Sequence, residues 1–361
     1  MSKARELAEL GAVYDSGALS NRNLIINGAM QVAQRGTDAK TGNATDLYGT
    51  DRFRAIENNS GSMSSQQVAD GPVGFYYSNK LTITGTDSSL ASTEFGRQLT
   101  SIEGQNMAHL NWGTANAQTV TLSFYVKCSV TGTFYISLFN NAADRSFVAG
   151  YTIDAANTWE RKSIKIAGPT DGTWLATNGA GVYVTWSIGA GSTYQTSTLN
   201  SWASAFDMSG SDQVNLFATN AATWQLTGVQ MELGTEATPF EHRSFGEELQ
   251  RCKRYFEVYA PITSQNGSIG LVRPRTTVNG YSSTLNYYEK RASPTATLDF
   301  DRLHKPGVAF DTISSSSVDV NSGETSSCTV NCNPDNDSTI STYAYLGKNS
   351  GQGKLTLDAE L

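Results

Sequence analysis

Apolar and polar residues alternate in short runs along most of this chain. From Asn23 onward the runs have a period of two and are separated by clusters of Gly, Asn and Ser. Because successive side chains of a strand point to opposite faces, this period is typical of half-buried β-strands. Many short strands separated by such turns indicate a sandwich or a barrel. The pattern therefore predicts an all-β fold.

The clearest alternation covers residues 119–138. Apolar side chains occupy every second position from Val120 to Cys128, and again from Phe134 to Leu138 after Thr131-Gly132. This spacing predicts a hairpin with one buried face. Further strands are predicted at 81–84, 148–153, 161–166, 182–188, 214–218 and 224–233.

Two tryptophans and one glycine add detail to these strands. Trp186 and Trp224 lie in the apolar phase of their strands, so we expect both in the core. Within 224–233 the apolar phase shifts across Gly228. A shift of phase at a glycine predicts a β-bulge. Pro239 ends this run, and we expect Phe240 to close the end of the sandwich.

A helix is predicted over 244–257. Ser244 can cap its first turn, and Glu247 follows three residues later, as in a capping box. The helix is expected to pack on a sheet and to link two domains. The residues of its apolar face are Phe245, Leu249, Cys252 and Phe256.

The length of 361 residues also favours two folded units, because one hydrophobic core usually stops growing at roughly 250–300 residues. We assign a β-sandwich to 21–243, the linking helix to 244–257 and a smaller C-terminal β domain to 258–361. Strands of the second domain are predicted at 285–288, 295–300, 317–320, 325–331, 341–346 and 354–360.

Residues 1–20 are assigned to an N-terminal arm that carries a short helix. The segment KARELAEL (3–10) places its small and apolar residues on one face. A helix this short is marginal alone in water, so its apolar face needs a surface to pack against. That surface is either a partner, which includes other copies of this chain, or the helix's own domain. The candidate anchoring residues are Ala4, Leu7, Ala8 and Leu10.

Composition and charge exclude several partners. Charged residues make up 16% of the chain, against a typical value of about 25%, and 33 glycines with many hydroxyl and amide residues replace them. This composition is typical of an extracellular β-protein. The net charge of −7 disfavours nucleic acid and anionic lipid. No apolar run reaches the length of a membrane span, and the first residues lack a secretory signal, so we expect synthesis in a cytoplasm and no membrane insertion.

The four cysteines do not form a disulfide framework. In extended geometry Cys328 and Cys332 lie about 13 Å apart, which is beyond bridging distance. Cys128 and Cys252 are distant in sequence. We expect four free thiols.

Four segments resemble a known family. They are NLIINGAMQVAQRG (23–36) followed by YGTDRF (48–53), then WQLTGVQMELGTEATPFE (224–241), then EELQRCKRYF (247–256). Their order and spacing are similar to those of bacteriophage tail-fibre and related virion proteins, particularly of phages that infect cyanobacteria and other marine bacteria. The resemblance implies a jelly-roll sandwich similar to carbohydrate-binding modules and galactose-binding-like domains, a non-enzymatic virion role and a homotrimer. It carries over no ligand site.

No catalytic or metal motif is present in the sequence. The histidines His109, His242 and His304 are far apart, and no zinc-protease, nucleophile-elbow or phosphate-loop motif occurs. Glycoside cleavage needs two carboxylates across a groove, and no pattern pairs the candidates. Residues 333–338 offer oxygen ligands at alternate positions but lack the glycine and the final Glu of a calcium loop, which favours an Asx-rich turn. We expect no enzyme activity, cofactor or metal.

Aromatic residues in polar surroundings are the candidate ligand contacts, because aromatic rings stack on sugar rings. A subunit interface uses the same amphipathic residues, so glycan contact and trimer interface both stay open. If the C-terminus of a fibre points at the host, the second domain is the better place for a receptor site. The candidates are Trp112, Trp174, Tyr194 and Trp202 in the first domain and Tyr281, Tyr287 and Tyr288 in the second.

These observations favour a trimeric virion fibre or spike, made in the host cytoplasm and active outside the cell. Its N-terminal segment is expected to dock on other tail or capsid proteins, and its folded domains to attach to a host surface glycan by multivalent, non-catalytic binding. The alternatives are a capsid decoration protein with a purely structural role, a single-copy lectin and a glycan-degrading tail-spike depolymerase.

Overall fold

Two antiparallel sheets face each other across one apolar core in the first part of the chain. The computed structural model describes Lys3 and residues 21–41, 46–259, 269–274, 281–300, 302–304, 311–320, 325–334, 344–347 and 354–361. The chain divides into two units, the first ending at Glu248 and the second running from Leu249 to Glu360. The predicted all-β fold, a sandwich followed by a smaller β unit, is confirmed.

The first unit contains strands β1 to β13. In chain order they are β1 (Lys40–Thr41), β2 (Leu47–Thr50), β3 (Phe53–Asn58), β4 (Ser62–Val68), β5 (Ser78–Gly85), β6 (Phe95–Glu103), β7 (Val120–Cys128), β8 (Gly132–Phe139), β9 (Ser146–Ile153), β10 (Glu160–Ile166), β11 (Ala180–Ala190), β12 (Trp202–Ala203) and β13 (Thr223–Leu233). Helical turns are few: α1 (Gly104–Met107) and the 3-10 turns Ala108–Leu110, Ser192–Tyr194 and Leu216–Ala218. The helix α2 (Phe245–Lys253) follows β13.

The strands form a six-stranded and a seven-stranded sheet. The six-stranded sheet has the order β1-β4-β5-β13-β7-β10, and the seven-stranded sheet has the order β12-β9-β8-β11-β6-β3-β2. Alternate side chains of each strand enter the shared core, as the period of two predicts. Trp186 and Trp224 are fully buried there, which confirms their predicted position.

The predicted bulge at Gly228 is also confirmed. The pairing of β13 with β7 shifts register between Thr227 and Gln230, and Gly228 has a φ of +60°. Glycine adopts this left-handed conformation without steric cost. The bulge lets β13 change phase and keep an apolar face on the core.

The predicted hairpin over 119–138 is wrong in its pairing. Both strands exist, but β7 pairs with β13 and β10, whereas β8 pairs with β9 and β11 in the other sheet. The chain therefore crosses between the sheets at residues 129–131. An alternating pattern specifies which face of a strand is buried and leaves its neighbour undetermined.

The predicted strand at 214–218 is a 3-10 turn, Leu216–Ala218. The Asn215 side chain accepts a hydrogen bond from the backbone N–H of Phe217 at 3.0 Å, which begins the turn. Leu216 and Phe217 are both buried. Burial of these two residues in a turn accounts for the apolar run without a strand.

Arg243 ties the two ends of the first unit together. Its side chain is 4% exposed. Its Nη1 donates to the carbonyl oxygen of Ile25 at 3.0 Å, and its Nη2 donates to the carbonyl oxygen of Asn23. The carboxylates of Glu241 and Glu248 lie 3.2 and 3.7 Å from the same guanidinium. One side chain thus binds two backbone carbonyls that are more than two hundred residues earlier in the chain.

The carboxylates bound to Arg243 also hold the incoming backbone. Glu241 accepts hydrogen bonds from the backbone N–H groups of Asn21 and Asn23, both at 2.8 Å. Glu248 accepts from the N–H of Asn27 at 2.5 Å. We call Asn23, Asn27, Glu241, Arg243 and Glu248 the clasp. It joins the two sequence motifs at 23–36 and 224–256 in one polar network.

The helix prediction is confirmed in its start and wrong in its length. Ser244 Oγ accepts from the N–H of Glu247 at 3.3 Å, as the capping pattern predicts. The helix ends at Lys253, however, and Phe256 begins a strand. Cys252 is fully buried, but Phe245 is 56% exposed and does not pack on a sheet as predicted.

The second unit contains a three-stranded sheet and a small closed barrel. Its strands are β14 (Phe256–Tyr259), β15 (Ile269–Pro274), β16 (Tyr281–Asn286), β17 (Thr295–Asp299), β18 (Arg302–His304), β19 (Asp311–Asp319), β20 (Ser327–Pro334), β21 (Ala344–Gly347) and β22 (Lys354–Asp358). The sheet has the order β14-β22-β17, and the barrel has the order β15-β16-β20-β19-β18-β21.

None of the four cysteines forms a disulfide, as predicted, and all four are buried. Burial raises the pKa of the Cys128 and Cys328 thiols to about 11 and that of Cys332 to about 12. A protonated thiol is a poor nucleophile, so these three side chains act as small apolar residues of the core.

Two further predictions fall partly or wholly outside this structure. The N-terminal helix at 3–10 and its anchoring residues Ala4, Leu7, Ala8 and Leu10 lie outside the described residues, as does most of the 333–338 segment. Among the described residues, no helix is long and apolar enough to span a membrane.

We predict that Arg243→Leu lowers the free energy of unfolding by about 3 kcal/mol, because removing one partner of a buried ion pair leaves the other charges and carbonyls without compensation. Arg145→Leu is the matched control: it breaks a surface ion pair with Asp171 and should change stability little. Urea unfolding of both variants measures the difference. Equal stabilities would contradict a structural role for the clasp.

Candidate functional site

Three of the predicted aromatic residues come together in the first unit. The ring centroids of Trp112, Trp174 and Trp202 lie 5.0, 5.1 and 5.5 Å from one another, edge to face. The Phe147 ring lies 5.6 Å from Trp202 and connects this cluster to the core. Sequence reasoning treated them as separate candidates and did not predict the cluster.

The indole N–H groups of this cluster are all used within the protein. Trp112 donates to the carbonyl oxygen of Gln118 at 2.9 Å, and Trp174 donates to that of Asp171 at 3.0 Å. Trp202 donates to the carbonyl oxygen of Ala167 at 2.6 Å. Trp112 is only 7% exposed, so its predicted exposure is wrong. These contacts hold three loops together and leave no indole donor for a ligand.

Tyr194 lies apart from the tryptophan cluster. Its ring is 5.3 Å from Phe95 and 5.8 Å from Phe206, on the outer face of the seven-stranded sheet. It is partly exposed. Here an aromatic group surrounds Arg97, whose guanidinium carbon is 5.0 Å from the centroid of Phe95.

The three tyrosines of the second unit differ in exposure. Tyr281 is fully buried in the core of this unit, so it is wrong as a candidate contact for a ligand or for a trimer interface. Tyr287 is partly buried, and its hydroxyl donates to the carbonyl oxygen of Ser327 at 3.0 Å. Tyr288 is 45% exposed and remains a candidate.

A cleft of about 450 Å³ lies on the outer face of the six-stranded sheet. Its floor is formed by neighbouring strands, where Tyr125 of β7 pairs with Arg161 of β10. Its walls are the segment between β4 and β5, at residues 73–75, and the segment after β13, at residues 237–242. We call this the aromatic cleft.

Phe75 is the centre of the aromatic group in this cleft. Its ring centroid lies 4.9 Å from Phe240, 5.2 Å from His242 and 5.4 Å from Tyr125. Phe240 and His242 are also in edge-to-face contact, at 4.9 Å. The four rings come from three different parts of the chain, and their contacts hold the two walls against the sheet.

Gly228 makes room for this group. A Cβ at this position would lie 2.8 Å from Cζ of Phe75 and 2.9 Å from Cδ2 of Tyr125. Together with its φ of +60°, this close approach requires glycine. The bulge in β13 therefore serves both the register of the strand and the placement of Phe75.

Hydrogen bonds fix the second wall. Glu232 accepts from both the N–H and the hydroxyl of Thr238, at 2.9 and 2.6 Å. Arg22 Nη2 donates to the carbonyl oxygen of Pro239 at 2.5 Å, and the side chain of Gln230 accepts from the N–H of Glu241 at 2.8 Å. The turn that presents Phe240 is thus bound on both sides before the chain reaches the clasp.

The polar side chains of the cleft are donors rather than carboxylates. Ser123, Arg161 and His242 line it, whereas no Asp or Glu is among its described lining residues. Arg161 Nη2 donates to the carbonyl oxygen of Thr238 at 3.0 Å. Among the residues described, no group of three or more His, Cys, Asp or Glu side chains could hold a metal ion. This donor set suits a ligand rich in oxygen atoms.

An exposed apolar rim borders the cleft. Val73 is fully exposed and Tyr76 is 71% exposed. A second groove, of about 280 Å³, lies beside them and is lined in part by Tyr77 and Phe245. Exposed apolar residues grouped in this way mark an interaction surface more often than isolated ones do.

Sequence reasoning missed this cleft. Phe75 and Phe240 are far apart in the chain, and Phe240 was expected only to close the sandwich. The sequence signals that were available are the GPVGFYYS segment at 71–78, with three aromatic residues directly after its second glycine, and the glycine at 228. Neither identifies its partner without the fold.

No protein-family model matches the sequence, and no curated protein matches it. Solved structures are similar to part of the chain. One is the enzymatically active domain of tailspike protein 4 of bacteriophage CBA120, with 11% identity and a TM-score of 0.32. The match covers 59% of this chain, which spans only 22% of the length of that one.

Two other similar structures are carbohydrate-binding modules. A family 11 module of Clostridium thermocellum, solved with a mixed-linked β-1,3-1,4 tetrasaccharide, has 10% identity and a TM-score of 0.29 over 56% of this chain and 99% of its own. A CBM4 structure has 14% identity and a TM-score of 0.29 over 58% of this chain and 98% of its own. At such values no ligand and no reaction follows for this chain.

We predict that Gly228→Ala destabilises the protein by about 2 kcal/mol, because a side chain here combines a left-handed backbone with contact against Phe75 and Tyr125. Gly246→Ala in α2 is the control, since its Cβ would meet nothing within 4 Å and alanine favours a helix. In thermal unfolding, Gly228→Ala should lower the melting temperature, whereas Gly246→Ala should raise it or leave it unchanged. A Gly228→Ala variant as stable as the wild type would show that the cleft tolerates this side chain.

Proposed function

We propose that this chain is a non-catalytic attachment protein of a virion and that the aromatic cleft binds a surface glycan. The observation that carries the proposal is the combination of aromatic rings and hydrogen-bond donors in one concave surface. The apolar face of a sugar ring packs on an aromatic ring, and its hydroxyl groups accept hydrogen bonds. Phe240 and Tyr125 supply the first kind of contact, and Arg161 and His242 supply the second.

The cleft is a better glycan site than the tryptophan cluster. The three indole N–H groups of that cluster are bound to backbone carbonyls, and Trp112 is buried. In the cleft, His242 and Arg161 are exposed. A polar ligand gains hydrogen bonds from groups that are otherwise exposed to water, and a volume of about 450 Å³ falls within the usual range of small-ligand sites.

The lining of the cleft supports the proposal of binding without cleavage. Glycoside hydrolases place two carboxyl groups about 5–10 Å apart on either side of the scissile bond. The described lining of the aromatic cleft contains neither Asp nor Glu. The cleft therefore supports recognition, and a depolymerase would need a different site.

The virion role rests on the resemblance of segments 23–36, 48–53 and 224–256 to tail-fibre proteins. In this proposal the N-terminal segment docks on other virion proteins, the protein is a homotrimer, and it acts outside the cell. Three weak sites on one trimer, repeated around a virion, bind a glycan-covered surface more tightly than one site.

We predict that the full-length chain has the mass of a trimer in solution. Light scattering of the purified chain measures this mass, and a monomeric mass would contradict the prediction.

We predict that Arg161→Ala and His242→Ala each weaken glycan binding about tenfold, because a hydrogen bond to a charged group contributes roughly 1.5–3 kcal/mol and one to a neutral group less. Lys165→Ala is the matched control. It removes an exposed cation from the same face of β10, outside the lining of the cleft. The measurement is binding of the full-length variants to an array of bacterial surface polysaccharides, followed by titration with the best ligand.

Two results would contradict the proposal. One is unchanged affinity of both cleft variants, which would remove the cleft from the binding site. The other is release of reducing sugar from the bound polysaccharide by the wild-type chain, which would show an enzyme.

A further inference from the structure

Arg97 lies on the outer face of the seven-stranded sheet, on the opposite side of the sandwich from the aromatic cleft. Its guanidinium carbon lies 5.0 Å from the ring centroid of Phe95, 5.6 Å from Phe139 and 5.7 Å from Phe206. Tyr194 contacts both Phe95 and Phe206. The guanidinium therefore sits in a group of rings that come from β6, β8 and the segment 191–215. We call Arg97 with these four aromatic residues the arginine cage.

The charge of Arg97 has no counter-charge in the described part of the chain. Its Nη1 donates to the thioether sulfur of Met208 at 3.4 Å, which is a weak acceptor. Its Nε is buried without a hydrogen-bond partner. Its Nη2 donates to no described residue and is not among the buried atoms. By contrast, Arg54 pairs with Asp46 at 2.9 Å, and Arg145 pairs with Asp171 at 3.2 Å.

The surroundings of Arg97 disfavour an uncompensated cation. Burial, followed by the positive charge of Arg54, lowers the pKa of Arg97 to about 10. The guanidinium still carries its charge at neutral pH. Removing a cation from water costs free energy unless an opposite charge compensates it. An arriving anion would supply that compensation and would find Nη2 free to donate.

The rings narrow the choice of anion. Phe95 and Phe206 border the guanidinium, Tyr194 contacts both of them, and all three rings are partly exposed. Aromatic faces pack on the apolar face of a sugar ring, whereas a carboxylate matches the planar fork of an arginine. A uronic acid residue carries both features at once. We propose that the arginine cage binds a carboxylate-bearing sugar residue, at a site separate from the aromatic cleft.

The test is titration of the full-length protein with D-glucuronate, and with D-glucose and acetate as probes of the two halves of the ligand. The wild type should bind glucuronate at least tenfold more tightly than either probe. Arg97→Gln should abolish that preference, because it removes both the charge and the planar set of N–H donors. Arg97→Lys keeps the charge without the planar donors, so its preference for glucuronate should lie between those of the wild type and Arg97→Gln. Arg145→Gln, at a paired surface arginine, should bind as the wild type does.

Four outcomes would overturn the proposal. Equal affinity for glucuronate and glucose shows that the carboxylate is not recognised. Equal affinity for glucuronate and acetate shows that the sugar ring is not recognised. Retained preference in Arg97→Gln removes Arg97 from the site. If Arg97→Gln does not fold, NMR of the wild type provides the test. Glucuronate should shift the signals of Arg97 and Tyr194. Shifts confined to His242 would place the ligand in the aromatic cleft instead.

Discussion

The first unit depends on the buried arginine that closes it. Arg243 binds the carbonyl oxygens of Asn23 and Ile25 while Glu241 and Glu248 neutralise its charge and hold the N–H groups of the same incoming segment. The segment 21–28 would otherwise leave polar backbone groups unpaired beside β13, and such groups are costly to bury. The clasp satisfies them with side chains from the other end of the unit.

This closure also positions the aromatic cleft. The chain between β13 and the clasp is short, and it is held at Thr238 by Glu232 and at Pro239 by Arg22. Phe240 lies between Pro239 and Glu241 of the clasp, and His242 lies between Glu241 and Arg243, so neither ring can move far from the sheet. A cleft whose walls are already fixed needs little ordering when a ligand binds, which favours affinity. The same residues that maintain the fold therefore maintain the site.

The sequence predicted those parts of the fold that local chemistry determines. The period of two predicted the buried faces of the strands and the core positions of Trp186 and Trp224. The glycine at 228 predicted the bulge, and Ser244 predicted the start of the helix. Strand pairing was not predictable from the same pattern. β7 and β8 show the reason: two alternating strands joined by a short turn can pair in one sheet or face each other across the core.

The site was harder to predict than the fold. Trp112 lies among polar residues, which indicated exposure. In the structure its side chain is buried, and the backbone carbonyl oxygen of Gln118 accepts the hydrogen bond of its indole N–H. Tyr281 in a serine-rich strand is buried because it shares with Leu285 the face of β16 that packs on the core of the second unit. The cleft joins Phe75 to Phe240 through long-range packing, which no local pattern contains.

The most direct test of the proposal that the aromatic cleft binds a glycan is a crystal structure of the chain with the oligosaccharide that binds best in the polysaccharide array. We expect a sugar ring packed on Phe240 or Tyr125, with its hydroxyl groups bound to Arg161 and His242. A sugar bound instead against Trp174 and Trp202 or in the second unit, with the cleft empty, would contradict the claim that this cleft is the site of attachment.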